Sequence, residues 1–224
     1  MGLLIGSLTK VIYLKEKEMR KTLIALIAAV GLVASSNPAM ADAAKPGQSM
    51  THIKTIAGIT STLESAGVIL YVQGGATSAL IGDSPAAADS QVVFHVPITG
   101  TKTGVEHTGS YLVFFNTTNN KVVQLRNPLI DLAKGEISAV IPQATGQATP
   151  VLKITNASQL KASVVNDKKA KLKTTAYKGA ALSLAPGIGA ALSSLLGLPE
   201  GSLPEGLAFA TADVTLYSAL KAKK

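Results

Sequence analysis

The chain has 224 residues, of which 47% are hydrophobic, 15% charged and 4% aromatic, with neither Cys nor Trp and a formal charge of +8. That content of aliphatic residues is too high for a disordered chain, and the lack of cysteine excludes a disulfide framework, a thiolate metal site, c-type haem attachment and a lipoprotein anchor. The basic balance does not indicate nucleic acid, because Arg126 is the only arginine after residue 41 and no RNA-binding aromatic block accompanies it.

The first forty-odd residues read as targeting sequence. Arg20-Lys21 is a positive start, residues 22–33 are apolar, and Ala39-Met40-Ala41 is a small-x-small cleavage site, so residues 19–41 read as a signal peptide. Its apolar run is too short to span a bilayer permanently. Met19 opens that unit, so residues 1–18 read as an upstream extension from an earlier start. Without residues 1–41 the chain keeps sixteen basic and eleven acidic residues, a net +5. The expected location is secreted, periplasmic or at the cell surface, where a mildly basic protein is drawn to acidic envelope polymers.

After a flexible start at 42–49, Met50, Ile53, Ile56, Ile59 and Leu63 recur every three to four residues before Gly67, a spacing that predicts a helix over 50–66. Residues 68–72 (VILYV) read as a strand ended by Gly74-Gly75, and 79–81 as a short apolar run. The stretch 91–126 holds four of the nine aromatic residues and two of the three histidines. In it, 92–96 is a strand stopped by Pro97, and 110–115 and 121–126 are strands joined by the polar loop 116–120, a hairpin. Further β-rich segments at 128–132, 136–141, 151–155 and 159–165 recur about every ten residues, as in a sandwich or barrel. Residues 168–175 (KKAKLKTT) read as a half-buried strand whose outer face carries Lys169, Lys171 and Lys173. Pro186 then opens a helix with an apolar stripe at Ile188, Leu192, Leu195 and Leu196, closed by Gly197. Residues 207–217 form a last strand, with Leu207, Phe209, Thr211, Asp213, Thr215 and Tyr217 on one face, and 221–224 is a basic tail. The expected fold is mainly β: a single antiparallel β-sandwich or barrel-like domain over 50–220, with one N-terminal helix and one short helix before the last strand.

Few motifs carry chemistry. Gly82-Asp83-Ser84 resembles the nucleophile block of the GDS-type esterases, but the chain has no Asp-x-x-His to take the serine proton, so it reads as a turn. Gly187-x-Gly189 lacks the third glycine and the βαβ unit of a dinucleotide fingerprint, and the two Leu-Pro-Glu-Gly segments at 198–206 lack the threonine and membrane tail of a sortase signal. His52, His95 and His107 are scattered, so no metal-ligand set emerges from spacing, and His95 reads as a partly buried strand residue. His107 lies in the polar entry to the most aromatic strand, with Tyr111 four residues on and on the same face if the chain is extended. Imidazole and phenolate are both axial ligands of haem iron, so these two residues are the candidate cofactor-binding pair.

FHVPITG at 94–100, His107-Thr108-Gly109 opening a strand, Arg126-Asn127-Pro128 leading to Ile130-Asp131, and Ala181-Leu182-Ser183-Leu184 before a helix and a last strand resemble the HtaA-type domain of secreted and surface-attached bacterial proteins. The resemblance is one of pattern order over roughly 92–217. It implies a β-rich domain and, since some members bind haem, haem as the cofactor to test, with His107 the matched functional position. The aromatic block that holds the family's tyrosine ligand has no counterpart between His52 and Leu70. The function expected from the sequence is an exported, non-enzymatic ligand-binding β domain. The alternative is a structural or adhesive envelope protein that turns Lys169, Lys171 and Lys173 toward an acidic polymer.

Overall fold

Short β-branched and aromatic runs punctuated by glycine become strands along nearly the whole described chain. In the computed structural model, which describes residues 48–220, these are β1 (Met50–Thr55), β2 (Val68–Gly74), β3 (Thr77–Ile81), β4 (Gln91–Pro97), β5 (Val105–Glu106), β6 (Ser110–Asn116), β7 (Val122–Asp131), β8 (Glu136–Val140), β9 (Ala148–Ile154), β10 (Ser163–Asp167), β11 (Leu172–Leu184) and β12 (Ala208–Ala219). Helix α1 (Ile59–Ser65) lies between β1 and β2, and α2 (Ile188–Leu196) between β11 and β12. Strand makes up 50% and helix 11%, so the fold is mainly β. The residues expected as extension, signal peptide and tail (1–18, 19–41, 221–224), and most of the expected flexible start, lie outside the described ones.

All strands join one antiparallel sheet in the order β2-β6-β7-β8-β9-β11-β12-β1-β4-β3, with β5 paired to β7 and β10 to β11. The two ends of that path, β2 and β3, follow each other in the chain and are linked by only Gly75-Ala76, so the sheet curls round into a nearly closed barrel. Closure in this way hides strand edges from outside partners. Gly74 stands at the seam with φ 74°, and a Cβ there would lie 1.8 Å from the Gly109 carbonyl oxygen, so only glycine fits.

The barrel interior is filled by the inward residues of each strand, among them Phe114, Val123, Leu125, Leu182, Ala212 and Val214, all buried. Helix α2 packs against β6 and β7 through Leu192 and Leu196. Each of these leucines is fully buried and contributes about 2 kcal/mol. The polar hairpin loop between β6 and β7 also ends α2, since Asn116 Nδ2 and Asn119 Nδ2 both donate to the Leu196 carbonyl at 2.9 Å, and Gly197 turns the chain away with φ 66°.

Four expectations are corrected. The helix expected over 50–66 is a strand followed by a short helix: β1 occupies Met50–Thr55, and Gly58 at φ 84° starts α1. The segments 121–126 and 128–132 are one strand, β7, bent by a bulge between Arg126 and Leu129 where Asn127 is left-handed (φ 52°) and the missing N–H of Pro128 costs no ladder bond. Residues 168–175 are not one strand, because β10 ends at Asp167 and a turn holds 168–171 before β11 begins. In the last strand Phe209 and Ala210 are both buried, since a bulge opposite Leu182 and Ser183 sets Phe209 beside the inward row instead of across from it.

Candidate functional site

His107 leaves β5 and enters the barrel wall, where it is 2% exposed. The Pro128 carbonyl accepts from its main-chain N–H and from its ring Nδ1, each at 3.0 Å. A carbonyl only accepts, so Nδ1 carries the proton and Nε2 is the acceptor. Nε2 in turn takes the hydroxyl of Thr51, fully buried on β1, at 2.8 Å. Burial lowers the His107 pKa, opposed in part by hydrogen bonds to Pro128 and Val105, so the ring is held neutral in a single tautomer. This histidine ties β1 to β7, two strands that are not paired with each other in the sheet.

Tyr111 does not share a face with it. The chain turns at Thr108-Gly109, where Gly109 has φ 83° and Ser110 N–H donates to the His107 carbonyl at 3.1 Å, so the run is not extended and the four-residue spacing does not align the two side chains. Tyr111 pairs across from Arg126 on the outer row of β6, and the guanidinium sits over its ring at 5.3 Å. Between the inward residues lies an apolar cavity of about 40 Å³, lined among others by Ile53, Phe94, Leu112 and Leu125. Ser110 Oγ, at its edge, has no hydrogen-bond partner among the described residues. Space for a water molecule or two is far short of a porphyrin. With both His107 nitrogens engaged inside the wall and Tyr111 on the other face, these residues do not fit haem.

The lysines singled out in the sequence gather at the tip of the β10–β11 hairpin. Asp167 Oδ1 accepts from the N–H groups of Lys169 (2.8 Å) and Ala170 (2.9 Å), a turn that carries Lys168, Lys169 and Lys171, and Lys171 takes a left-handed backbone (φ 51°). Only Lys173 lies on the strand, opposite Asn166 and Ser218. All four lysines are exposed, and none forms an ion pair among the described residues. On β10 the neighbouring Val164 (51%) and Val165 (60%) are exposed on both faces, so this arm stands clear of the core.

A further cluster escaped sequence reasoning. His52 on β1 lies between His95 on β4 and Asp213 on β12 in register, one residue from each of three adjacent strands. The Nδ1 atoms of the two half-buried imidazoles are 2.7 Å apart, with the rings nearly perpendicular at 85°. One nitrogen donates and the other accepts, so the pair shares one proton. Burial lowers the His52 pKa, with the Asp213 charge acting in the opposite sense. Asp213 Oδ1 is held by the Gly179 N–H at 2.7 Å. Among the described residues no group of three metal-ligating side chains converges. Forty-three residues separate the two histidines, and no local spacing carries their meeting; only the pairing of β1 with β4 does.

The Gly82-Asp83-Ser84 block lies in the β3–β4 connection, where the Ser84 carbonyl accepts from the Ser90 hydroxyl, as a turn does. A scan against protein-family models finds no matching family, and searches of curated proteins and of solved structures find no similar protein.

Proposed function

We infer that this chain is an exported, non-enzymatic adhesive module that holds an acidic envelope polymer through the tip of its β10–β11 arm. The observation that carries the reading is the tip itself: Lys168, Lys169, Lys171 and Lys173 within one turn and its flanking strand, all exposed, with Asp167 as the only carboxylate of that turn and its Oδ1 engaged by main-chain N–H groups. Ammonium groups on flexible stems suit a polymer whose charges are irregularly spaced, since each is a point charge free to find its own partner. The residue that follows β12 is bound into the same place, because Leu220 N–H donates to the Lys171 carbonyl at 2.9 Å, and the basic segment 221–224 follows directly in the sequence. The HtaA-type resemblance agrees with an exported β domain, while haem finds no support in His107 and Tyr111.

The test is retention of the purified chain on an immobilised polyanion such as poly-glutamate. Exposed charges are screened over about 10 Å at 0.1 M salt and about 3 Å at 1 M. Binding at low salt should be lost both in 1 M salt and in the variant with Lys168, Lys169, Lys171 and Lys173 all changed to Ser. Retention that survives either change overturns the reading.

A further inference from the structure

We propose that β10 is a self-association edge, at which two copies of this chain pair their β10 strands antiparallel about a two-fold axis at Val164. Closure of the barrel hides the ends of the main strand path, but β10 lies off that path and pairs with β11 on one side only. Every second residue of such a strand turns its N–H and C=O to the outer side. That side of β10 therefore carries main-chain donors and acceptors with no strand partner among the described residues. All of Ser163–Asp167 is exposed, and Val164 and Val165 put β-branched side chains on the two faces of the edge.

The charges that flank this strand make it complementary to itself. Lys161 precedes β10 and Asp167 ends it, both exposed, and neither forms an ion pair among the described residues. Parallel pairing in register would set each of these charges against its own kind. Antiparallel pairing about Val164 instead sets Lys161 of each copy opposite Asp167 of the other, twice by symmetry. Moving the axis by half a residue or one residue toward the hairpin tip brings Lys161 against Lys168 or Lys169. Moving it the other way leaves Asp167 opposite Leu160 or Gln159. In the favoured register Val164 meets Val164 of the second copy on one face, and Val165 meets Ser163 on the other.

Ladder bonds and the valines supply the attraction, while the exposed ion pairs fix orientation and register. A single pair of short strands is smaller than a standard protein interface, so the dimer is reversible and depends on concentration. The pairing also arranges the lysine turns. Lys168 of one copy comes opposite Leu160 of the other, which places the two Lys168 residues about 27 Å apart at the rise of an extended strand. One dimer thus presents two lysine tips at opposite ends of the joint, and a polymer that reaches both is held by avidity. That last consequence rests on the polymer reading, whereas the pairing does not.

The experiment combines sedimentation with disulfide trapping. Over a hundredfold range of concentration the purified chain should pass from monomer to dimer, with no larger species, and Lys161→Glu should weaken the dimer at least tenfold at low salt. The chain has no cysteine, so Val164→Cys and Val165→Cys each introduce a single thiol at an exposed position away from the core. In the proposed register the thiols of Val164→Cys lie directly opposite, with Cβ atoms about 5 Å apart, whereas those of Val165→Cys are diagonal, about 8 Å apart and too far to bridge. Under dissolved oxygen Val164→Cys should therefore form a covalent dimer at least tenfold faster than Val165→Cys. A chain that stays monomeric throughout, or equal rates for the two cysteine variants, overturns the proposal. The covalent Val164→Cys dimer should also stay on poly-glutamate to higher salt than its reduced form. If it forms but binds no poly-glutamate, the pairing stands and the polymer reading falls.

Discussion

The two faces of β1 put the same kind of side chain to opposite uses. Inward, Thr51 gives its hydroxyl to His107 Nε2 and Thr55 Oγ1 accepts from the Val92 N–H at 2.8 Å, so polar groups are buried and every one of these bonds is internal. Outward, His52 meets His95 in a half-buried pair with one proton between two nitrogens. The inner histidine has one tautomer and two fixed partners. In the outer pair one proton lies between two Nδ1 atoms, and both rings are half-buried. Where an imidazole is fully enclosed it acts as a tie with one tautomer, and where two are half-buried side by side they share a proton between adjacent strands.

The inner face should give the largest response to mutation. His107→Ala removes a buried ring that bonds two strands and leaves the Thr51 hydroxyl without its acceptor, while the Pro128 carbonyl keeps only the main-chain N–H of residue 107. Urea unfolding should record a loss of about 3 kcal/mol, the joint cost of the vacated space and the orphaned hydroxyl. A loss below about 1 kcal/mol would mean that the tie is not structural. Thr51→Val keeps the volume and removes only the hydroxyl, so Nε2 is left as a buried acceptor with nothing to accept. The expected cost is about 1.5 kcal/mol by the same measurement, and a neutral outcome would show that water reaches the ring.

Acid should act on both faces in the same direction. His107 and His52 each have a folded pKa below the unfolded value of 6.5. Above that value both states are neutral and pH has no effect. As pH falls through 6.5 the unfolded chain takes up protons that the folded chain refuses, so stability falls with falling pH. The slope for His107 is bounded at about 1.4 kcal/mol per pH unit. Urea midpoints that stay level between pH 8 and pH 5.5 would contradict a neutral, enclosed His107.

How much of this was legible follows the inward residues. The β6–β7 hairpin and α2 were readable because their buried positions are aliphatic or aromatic: Phe114, Val123 and Leu125 in one, Leu192 and Leu196 in the other. The β1 strand was not, because two of its inward residues are threonines satisfied by distant partners, while Ile53, Ile56 and Ile59 fall three apart and imitate a helix. Missing β1 hid the strand that links β12 to β4, and with it both the His107–Thr51 tie and the His52–His95 pair. The lysines were legible as an exposed group but not as a turn, since the bond from Asp167 to the N–H groups of Lys169 and Ala170 that breaks the strand leaves the alternation of KKAKLK intact.

The smallest expected effect sharpens the contrast most. His52→Asn keeps a polar side chain on the outer face of β1 and touches none of the bonds that hold Thr51 or His107. At pH 8 its stability should stay within about 0.5 kcal/mol of the parent, as for a surface substitution away from buried networks. Its acid response should differ, because one of the two histidines whose folded pKa is lowered is gone and the decline in stability just below pH 6.5 becomes shallower. The residual decline above the carboxylate range then contains the contribution of His107. If His52→Asn were instead as damaging as His107→Ala, the outer pair would be a second structural tie, holding β1 to β4.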